Sequence, residues 1–316
     1  MQPAGNELKD KVMSKIKTII ADWGTSNLRA FALDAGGNAI AKQTKSLGLL
    51  KVKDRNFAGA FDEVFSIWRE NTQIPVLLSG MIGSKLGWVE VPYVECPATL
   101  QSIAKSIAPV EERENVWIVP GVCLPPKGDR HDVIRGEEVQ VFGALDIFAV
   151  ENATVCLPGT HSKWLRAENA SITTFSTAMS GEIFDVMKNH SILGQLINEN
   201  GDSHDAEAFS AGLLRASEPG GILHHLFSVR SEGLFDVIDG SGLGSYLSGI
   251  IIGREIIDLS QIYPTGNDAV LLIGSTVLSK LYAKAFDHFK IKYSIVDGDQ
   301  AAIRGLQLVL ESSGNK

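Results

Sequence analysis

Read for the alternation of apolar and polar positions, the chain opens with three short strands. Lys17–Trp23, Leu28–Asp34 and Ala39–Thr44 each have strand length, and Gly36-Gly37-Asn38 between the last two has hairpin-turn composition. The pattern then predicts a helix over Phe57–Glu70, a strand at Pro75–Ser79, a helix near Leu100–Ile107, a strand at Val116–Val119 and a helix from about Arg135 to Phe148. From Ala153 the same opening returns: a strand to Leu157, a turn, strands Lys163–Ala167 and Ile172–Thr177, and a helix from about Gly181 to Asn189. Extra helices follow over Asp205–Arg215, Leu223–Val229 and Leu243–Ile262. Strand Ala269–Ile273, helix Thr276–Phe289, strand Lys292–Val296 and helix Gln300–Leu310 complete the chain.

A repeated strand–turn–strand opening predicts a duplicated α/β unit, each half a mixed sheet with helices and a cleft between the halves. Residues 1–15 read as a polar leader, 16–150 as the first domain and 151–316 as the second, whose last helix can pack back on the first domain. The leader lacks the apolar stretch of a signal peptide, and no apolar run approaches the ~20 residues that span a bilayer.

Composition narrows the chemistry. The 316 residues carry a formal net charge of −8, which argues against a nucleic-acid or acidic-membrane partner, because either requires a basic face. Cys96, Cys123 and Cys156 are too scattered for a disulfide framework or a zinc site, and a reducing cytoplasm fits them. The oligomeric state is left open, a homodimer among the alternatives.

Both repeats carry a Gly-Thr turn: Asp22-Trp23-Gly24-Thr25-Ser26-Asn27-Leu28-Arg29, and Pro158-Gly159-Thr160-His161-Ser162-Lys163. Glycine lets the backbone approach a ligand, successive N–H groups converge on an anion, and Thr or Ser adds donors. Either turn alone reads first as an ordinary hairpin corner, and it is the matched pair with Asp22 that reverses the reading. Only the first has an acidic residue just ahead of its glycine. Asp22 beside such a turn suits hydrated Mg²⁺, the alternative being a solvated strand end. No Walker-type sequence occurs, and Gly240-Ser241-Gly242-Leu243-Gly244 lacks dinucleotide spacing; it reads as a loop before a helix, near an adenine pocket.

Asp22–Arg29 is similar to the first phosphate motif of the sugar kinase, Hsp70 and actin superfamily, Leu157–Trp164 to its second, and Gly274-Ser275-Thr276 to its adenosine motif. Within that superfamily, Ser79-Gly80-Met81-Ile82-Gly83-Ser84, Gly87-Trp88, Val119-Pro120-Gly121 and Arg135-Gly136-Glu137-Glu138, together with Leu157-Pro158-Gly159-Thr160-His161, resemble the 2-dehydro-3-deoxygalactonokinase family.

The resemblance implies an α/β, duplicated actin-like (ribonuclease H-like) ATPase fold, with two domains around a nucleotide cleft. It further implies transfer of the ATP γ-phosphate to the 6-hydroxyl of 2-dehydro-3-deoxy-D-galactonate, in galactonate breakdown. Kinases for other sugar or keto-sugar acids, or a nucleotide-gated binding module, are the alternatives.

Such transfer needs a carboxylate to orient the attacking hydroxyl. Glu137 and Glu138 are the candidates, with Glu137 preferred; acidic residues also suit any first helical turn. Arg29 and Arg135 are the cations for a carboxylate or phosphate, unless they are ordinary surface charges. Gly24, Thr25, Ser26, Gly159, Thr160, His161, Lys163, Gly274 and Ser275 are the ATP contacts, with His161 contributing backbone. The loop with Gly80, Met81, Gly83, Ser84 and Trp88 is the expected substrate loop, in which Trp88 serves as a pocket wall or as core.

Overall fold

The computed structural model describes residues 13–69, 72–125, 127, 129–198, 205–264 and 268–314. Most of the expected leader lies outside the described residues. The chain divides into two compact units. One comprises Met1–Glu151, Glu168–Thr174 and Gly298–Lys316; the other comprises Asn152–Ala167 and Phe175–Asp297.

The first unit starts with β1 (Thr18–Trp23), β2 (Leu28–Leu33) and β3 (Ala39–Lys45). Asp34 Oδ1 accepts the backbone N–H of Gly36 and of Asn38, both at 2.9 Å, and so fixes the turn between β2 and β3. Helix α1 (Phe57–Phe65) and strand β4 (Val76–Ser79) follow, then the two-residue strands β5 (Val94–Glu95) and β6 (Ala98–Thr99). Next come helix α2 (Leu100–Lys105), strands β7 (Ala108–Pro109), β8 (Val116–Ile118), β9 (Val122–Cys123) and β10 (Val133–Ile134), and helix α3 (Glu137–Phe148).

The main sheet of this unit has the order β3-β2-β1-β4-β8-β7. β2 runs antiparallel to β1 and β3, while β4 is parallel to both β1 and β8. Because β1 and β4 are interior strands, they read as nearly unbroken apolar runs rather than alternating ones. Ile19, Ala21, Trp23 and Leu78 pack against Phe57, Phe61 and Phe65 of α1 in one core.

The second unit repeats that order. β11 (Ala153–Leu157) is antiparallel to β12 (Ser162–Glu168), and β13 (Ser171–Ala178), which enters this unit at Phe175, follows. Helices α4 (Ser180–His190), α5 (Ala206–Ser217), α6 (Gly221–Leu234) and α7 (Leu243–Ile262) precede strand β14 (Val270–Gly274), helix α8 (Thr276–His288) and strand β15 (Tyr293–Asp297). The strand order β15-β14-β11-β12-β13, with β11, β14 and β15 mutually parallel, reproduces that of β8-β4-β1-β2-β3. The duplicated α/β fold is therefore explicit in strand order and direction. Two apolar clusters fill this unit, one around Trp164, Leu272 and Phe286, the other around Val229, Tyr246 and Ile250.

The last helix, α9 (Gly298–Ser313), belongs to the first unit. It crosses α3 at backbone contact: a Cβ on Gly305 would lie 1.7 Å from the Val139 carbonyl oxygen, and one on Gly143 would lie 1.9 Å from that of Ala301. The two helices are pinned by Arg304 Nε, which donates to Asp146 Oδ2 at 2.7 Å. Among the described residues no helix is long and apolar enough to cross a membrane.

Candidate active site

In the first unit, Asp22 sits near the end of β1, opposite Arg29 on β2 and Ser79 on β4. Arg29 Nη2 donates to Asp22 Oδ2, and its Nη1 donates to Asp299 Oδ1 of α9 at 2.9 Å. Lys42 pairs with the other oxygen of Asp299. Burial alone would lower the Arg29 pKa, but the two carboxylates outweigh it and hold the guanidinium above its ordinary value. The Gly24 N–H closes the turn on the Asn27 carbonyl at 2.9 Å. Thr25 and Ser26 stand exposed on that turn.

Two glycines bring the 79–84 loop and α3 onto Asp22. Gly80, after β4, has φ 91°, and Gly136, before α3, has φ 107°, both in the left-handed half of conformational space. A Cβ on Gly80 would lie 2.8 Å from Asp22 Oδ1, and one on Gly136 would lie 3.2 Å from the Gly80 Cα. The strand end, the loop and the first turn of α3 thus meet at Asp22 Oδ1.

Helix α3 begins at Glu137, slightly later than the sequence pattern suggests, because Gly136 breaks the helical backbone. Glu137 Oε2 accepts the Arg135 N–H at 2.9 Å, and Glu138 Oε2 accepts the Gly136 N–H at 2.7 Å. Glu137 is half-buried, whereas Glu138 is fully buried. Desolvation, with a further push from Glu137, raises the Glu138 pKa to about 8 against the pull of Gly136 and Arg135. The Arg135 guanidinium is buried over the Tyr93 ring, 4.3 Å from its centroid, and Nη2 donates to the Val91 carbonyl at 2.8 Å.

Its other nitrogens are unpartnered. Among the described residues, seven buried side-chain atoms lack any hydrogen bond, and four of them fall at the predicted motifs: Ser84 Oγ, Arg135 Nε and Nη1, and Glu138 Oε1. Folded proteins leave few such groups, so their concentration here needs a cause. Gly83 lies directly against Arg135 Nη1, and Met81 opens the short helical turn between Gly80 and Ser84. Trp88 stands apart: its indole packs on Phe61, 5.4 Å between ring centroids, on the core side of the loop.

In the second unit, the turn after β11 carries Gly159, Thr160 and His161. Gly181 packs onto the Gly159 and Thr160 backbone, and the Glu182 N–H donates to the Thr160 carbonyl at 3.0 Å. His161 Nε2 pairs with Glu182 Oε2, and the buried Lys163 donates from Nζ to the His161 carbonyl at 2.9 Å. Gly274 ends β14, the parallel neighbour of β11, and the exposed Ser275 follows it, so the two turns leave adjacent strand ends. Ser279 Oγ lies 3.0 Å from where a Gly274 Cβ would be.

A cavity of about 150 Å³ opens beside the second turn. Gly159, Ser180 and Gly181 form its polar side, and Phe184, Ile251 and Leu281 are among its apolar walls. The 240–244 loop does not line it; Gly240 packs instead against Leu196 and Asn198, because the cavity is walled by the middle of α7 rather than its start.

Beneath this cavity is a group that motif reading passes over. Glu255 of α7 is buried and accepts from Ser162 Oγ at 2.7 Å, Trp164 Nε1 at 2.8 Å, Tyr282 OH at 2.7 Å and Ser180 Oγ. Asp299 was likewise missed. The only sequence signal for Glu255 is a lone carboxylate within the apolar run Leu247–Ile257; Asp299 has none, being 270 positions from its partner Arg29.

The family model for 2-keto-3-deoxy-galactonokinase matches residues 22–309. The chain belongs to that family. The 2-dehydro-3-deoxygalactonokinase of Escherichia coli (strain K12) is 33% identical over 297 residues, 94% of this chain and 98% of the relative. A solved structure from Sinorhizobium meliloti, of a protein provisionally named 2-dehydro-3-deoxygalactonokinase, superposes with a TM-score of 0.86 at 31% identity, covering 93% of this chain and 98% of that one. Component A of the (R)-2-hydroxyglutaryl-CoA dehydratase of Acidaminococcus fermentans shares the fold, with a TM-score of 0.53 at 14% identity over 94% of this chain and 98% of that one. As a member of the galactonokinase family the chain is a phosphotransferase with an alcohol group as acceptor, and membership implies ATP as phosphate donor and a sugar acid as substrate.

Proposed function

We propose that this kinase phosphorylates the 6-hydroxyl of 2-dehydro-3-deoxy-D-galactonate, a step in galactonate catabolism. The observation that carries the reading is the group of unpartnered buried polar atoms around the 79–84 loop and the start of α3. A keto-sugar acid offers a carboxylate and hydroxyls to satisfy them. In this reading Arg135 Nε and Nη1 hold the acceptor carboxylate, Ser84 Oγ bonds a hydroxyl, and Gly80, Met81 and Gly83 shape the loop while Trp88 anchors it to the core.

Phosphoryl transfer asks the protein mainly to position groups and neutralise charge. Glu137 is the carboxylate that orients the acceptor hydroxyl and takes its proton. Glu138 is unsuited to that role at neutral pH, because burial keeps it protonated. Arg29, braced by Asp299, fixes Asp22 Oδ2 and leaves Oδ1 toward the loop.

One carboxylate is the usual protein contribution to a Mg²⁺ that travels with nucleotide phosphates, so Asp22 fits as its holder. Bound there, the ion would neutralise phosphate charge. Gly24, Thr25 and Ser26 on one turn, and Gly159, Thr160, His161 and Lys163 at the other, bind phosphates. The apolar cavity beside Gly159 suits adenine, with Gly274 and Ser275 near the ribose. Three free thiols support a reducing, cytoplasmic setting.

A coupled ADP-release assay tests this with the galactonate-derived keto acid, its C4 epimer and simple hexoses. Turnover with the keto acid well above that with hexoses is expected; no turnover with any keto-sugar acid would sink the assignment. Asp22→Asn is expected to lower kcat by roughly 100-fold or more, as loss of a charge-stabilising group does elsewhere.

A further inference from the structure

Helix α6 is apolar on both sides: Ile222, Leu226 and Val229 pack into the cluster around Tyr246, yet further large apolar side chains stand outside. Its buried face holds His225 and Ser228 beside Val229. The His225 ring, whose pKa burial lowers, bonds through Nε2 to the Glu218 carbonyl at 3.0 Å, and Ser228 Oγ meets Tyr246 OH at 3.0 Å. Its outer face is apolar: Leu223 is 85% exposed, Phe227 59% and Leu234 56%. These three recur at intervals of four and seven residues, so they form one stripe along the helix. The stripe continues into Phe235, 80% exposed, and Val237, 67% exposed. Val237 shares the wall of a 500 Å³ cavity with Leu214, itself 60% exposed.

We propose that the outer face of α6 and the turn after it form an interface between two copies of this chain. Six large apolar side chains, each more than half exposed, amount to roughly 600 Å² or more of surface, at the upper end of what a monomer leaves uncovered. A stable interface takes about 800 Å² from each partner, so this patch with its polar rim is the right size.

Charge selects the same occupant. At a net charge of −8, two copies repel least where they meet over few carboxylates. The stripe is nearly such a place: on α6 the single carboxylate, Glu232, lines the cavity instead, and the turn after it adds only the exposed Asp236, between Phe235 and Val237. The stripe is also self-complementary, as a twofold interface requires. Packed antiparallel on itself, α6 sets Leu223 of one copy against Leu234 of the other. Phe227 then falls beside Arg230, whose guanidinium is tethered to the Ile192 carbonyl at 3.1 Å and presents a cation to the ring. The interface is independent of the substrate reading.

Sedimentation velocity of the full chain over a dilution series tests it. The wild type is expected at twice the chain mass, and so is Leu50→Lys, a control at an exposed apolar position of the first unit. The double variant Leu223→Lys, Phe227→Lys is expected at the single-chain mass with its ADP release unchanged. A wild type that sediments as one chain at every concentration overturns the proposal, as does a folded double variant that still sediments as two. Should the double variant not fold, Phe227→Ser decides: at least a tenfold weaker dimer supports the interface, and an unaltered one overturns it.

Discussion

Glu138 couples the stability of the protein to pH in an unusual direction. Its folded pKa of about 8 stands above the ordinary 4.5, so across that window the folded state binds a proton that the unfolded state has released. Stability from this group is fully present below the lower value and is lost as pH rises through the upper one, by up to about 1.4 kcal/mol per pH unit. Glu138→Gln copies the protonated form and removes the dependence. The melting temperature of the variant relative to wild type should climb with pH through the window and flatten above it. A constant difference would mean that the carboxyl titrates normally. Glu137→Gln, by contrast, is expected to lower kcat on the order of 10²–10⁴ with little change in KM, the signature of a lost proton acceptor.

Glu255 acts on elements rather than on a ligand. Its carboxylate gathers donors from β12, the first residue of α4, and α8 onto α7, directly under the second Gly-Thr turn. Glu255→Ala would strand those donors in the core, at a cost of at least about 2–3 kcal/mol. It should also raise KM for ATP while leaving KM for the acceptor unchanged, which steady-state kinetics would separate; equal effects on both would point to general loosening. Elements built on local periodicity were open to sequence reading: Ala153–Leu157 and Leu243–Ile262 coincide with the expected spans. The two-residue strands β5, β6, β7, β9 and β10 were not, since two residues carry no alternation to read. The extension of α6 beyond Leu223–Val229 was hidden for another reason: Gly233 and the polar run Arg230-Ser231-Glu232 look like a helix end, yet the helix continues to Leu234.

At the scale of the molecule, each unit carries its own group of candidate residues. The 79–84 loop and both glutamates lie in the first, and the apolar cavity with the Gly274-Ser275 turn lies in the second. Hydrogen exchange resolves their contributions. The keto-sugar acid alone should slow exchange at Gly80–Ser84 and Gly136–Glu138, and adenosine alone at Gly159–His161 and Gly274–Ser275. Protection in the reverse pattern would overturn the division of roles. The net charge of −8 adds that an anionic acceptor gains nothing from long-range attraction, so its capture rests on local cations such as Arg135.

The last helix gives the molecule an order of assembly. Domains emerge from the ribosome from the N-terminal end and usually fold as they appear, but the first unit here is completed by Gly298–Ser313, the final helix of the chain. Until α9 has been made, Arg29 lacks Asp299, and α3 lacks the helix that closes over Gly143. The second unit can be finished while the first still waits. A chain ended before Gly298 would therefore leave Arg29 without its Asp299 brace and the Gly143 face of α3 uncovered, so that the Asp22 corner of the first unit takes its described form only once α9 has been made.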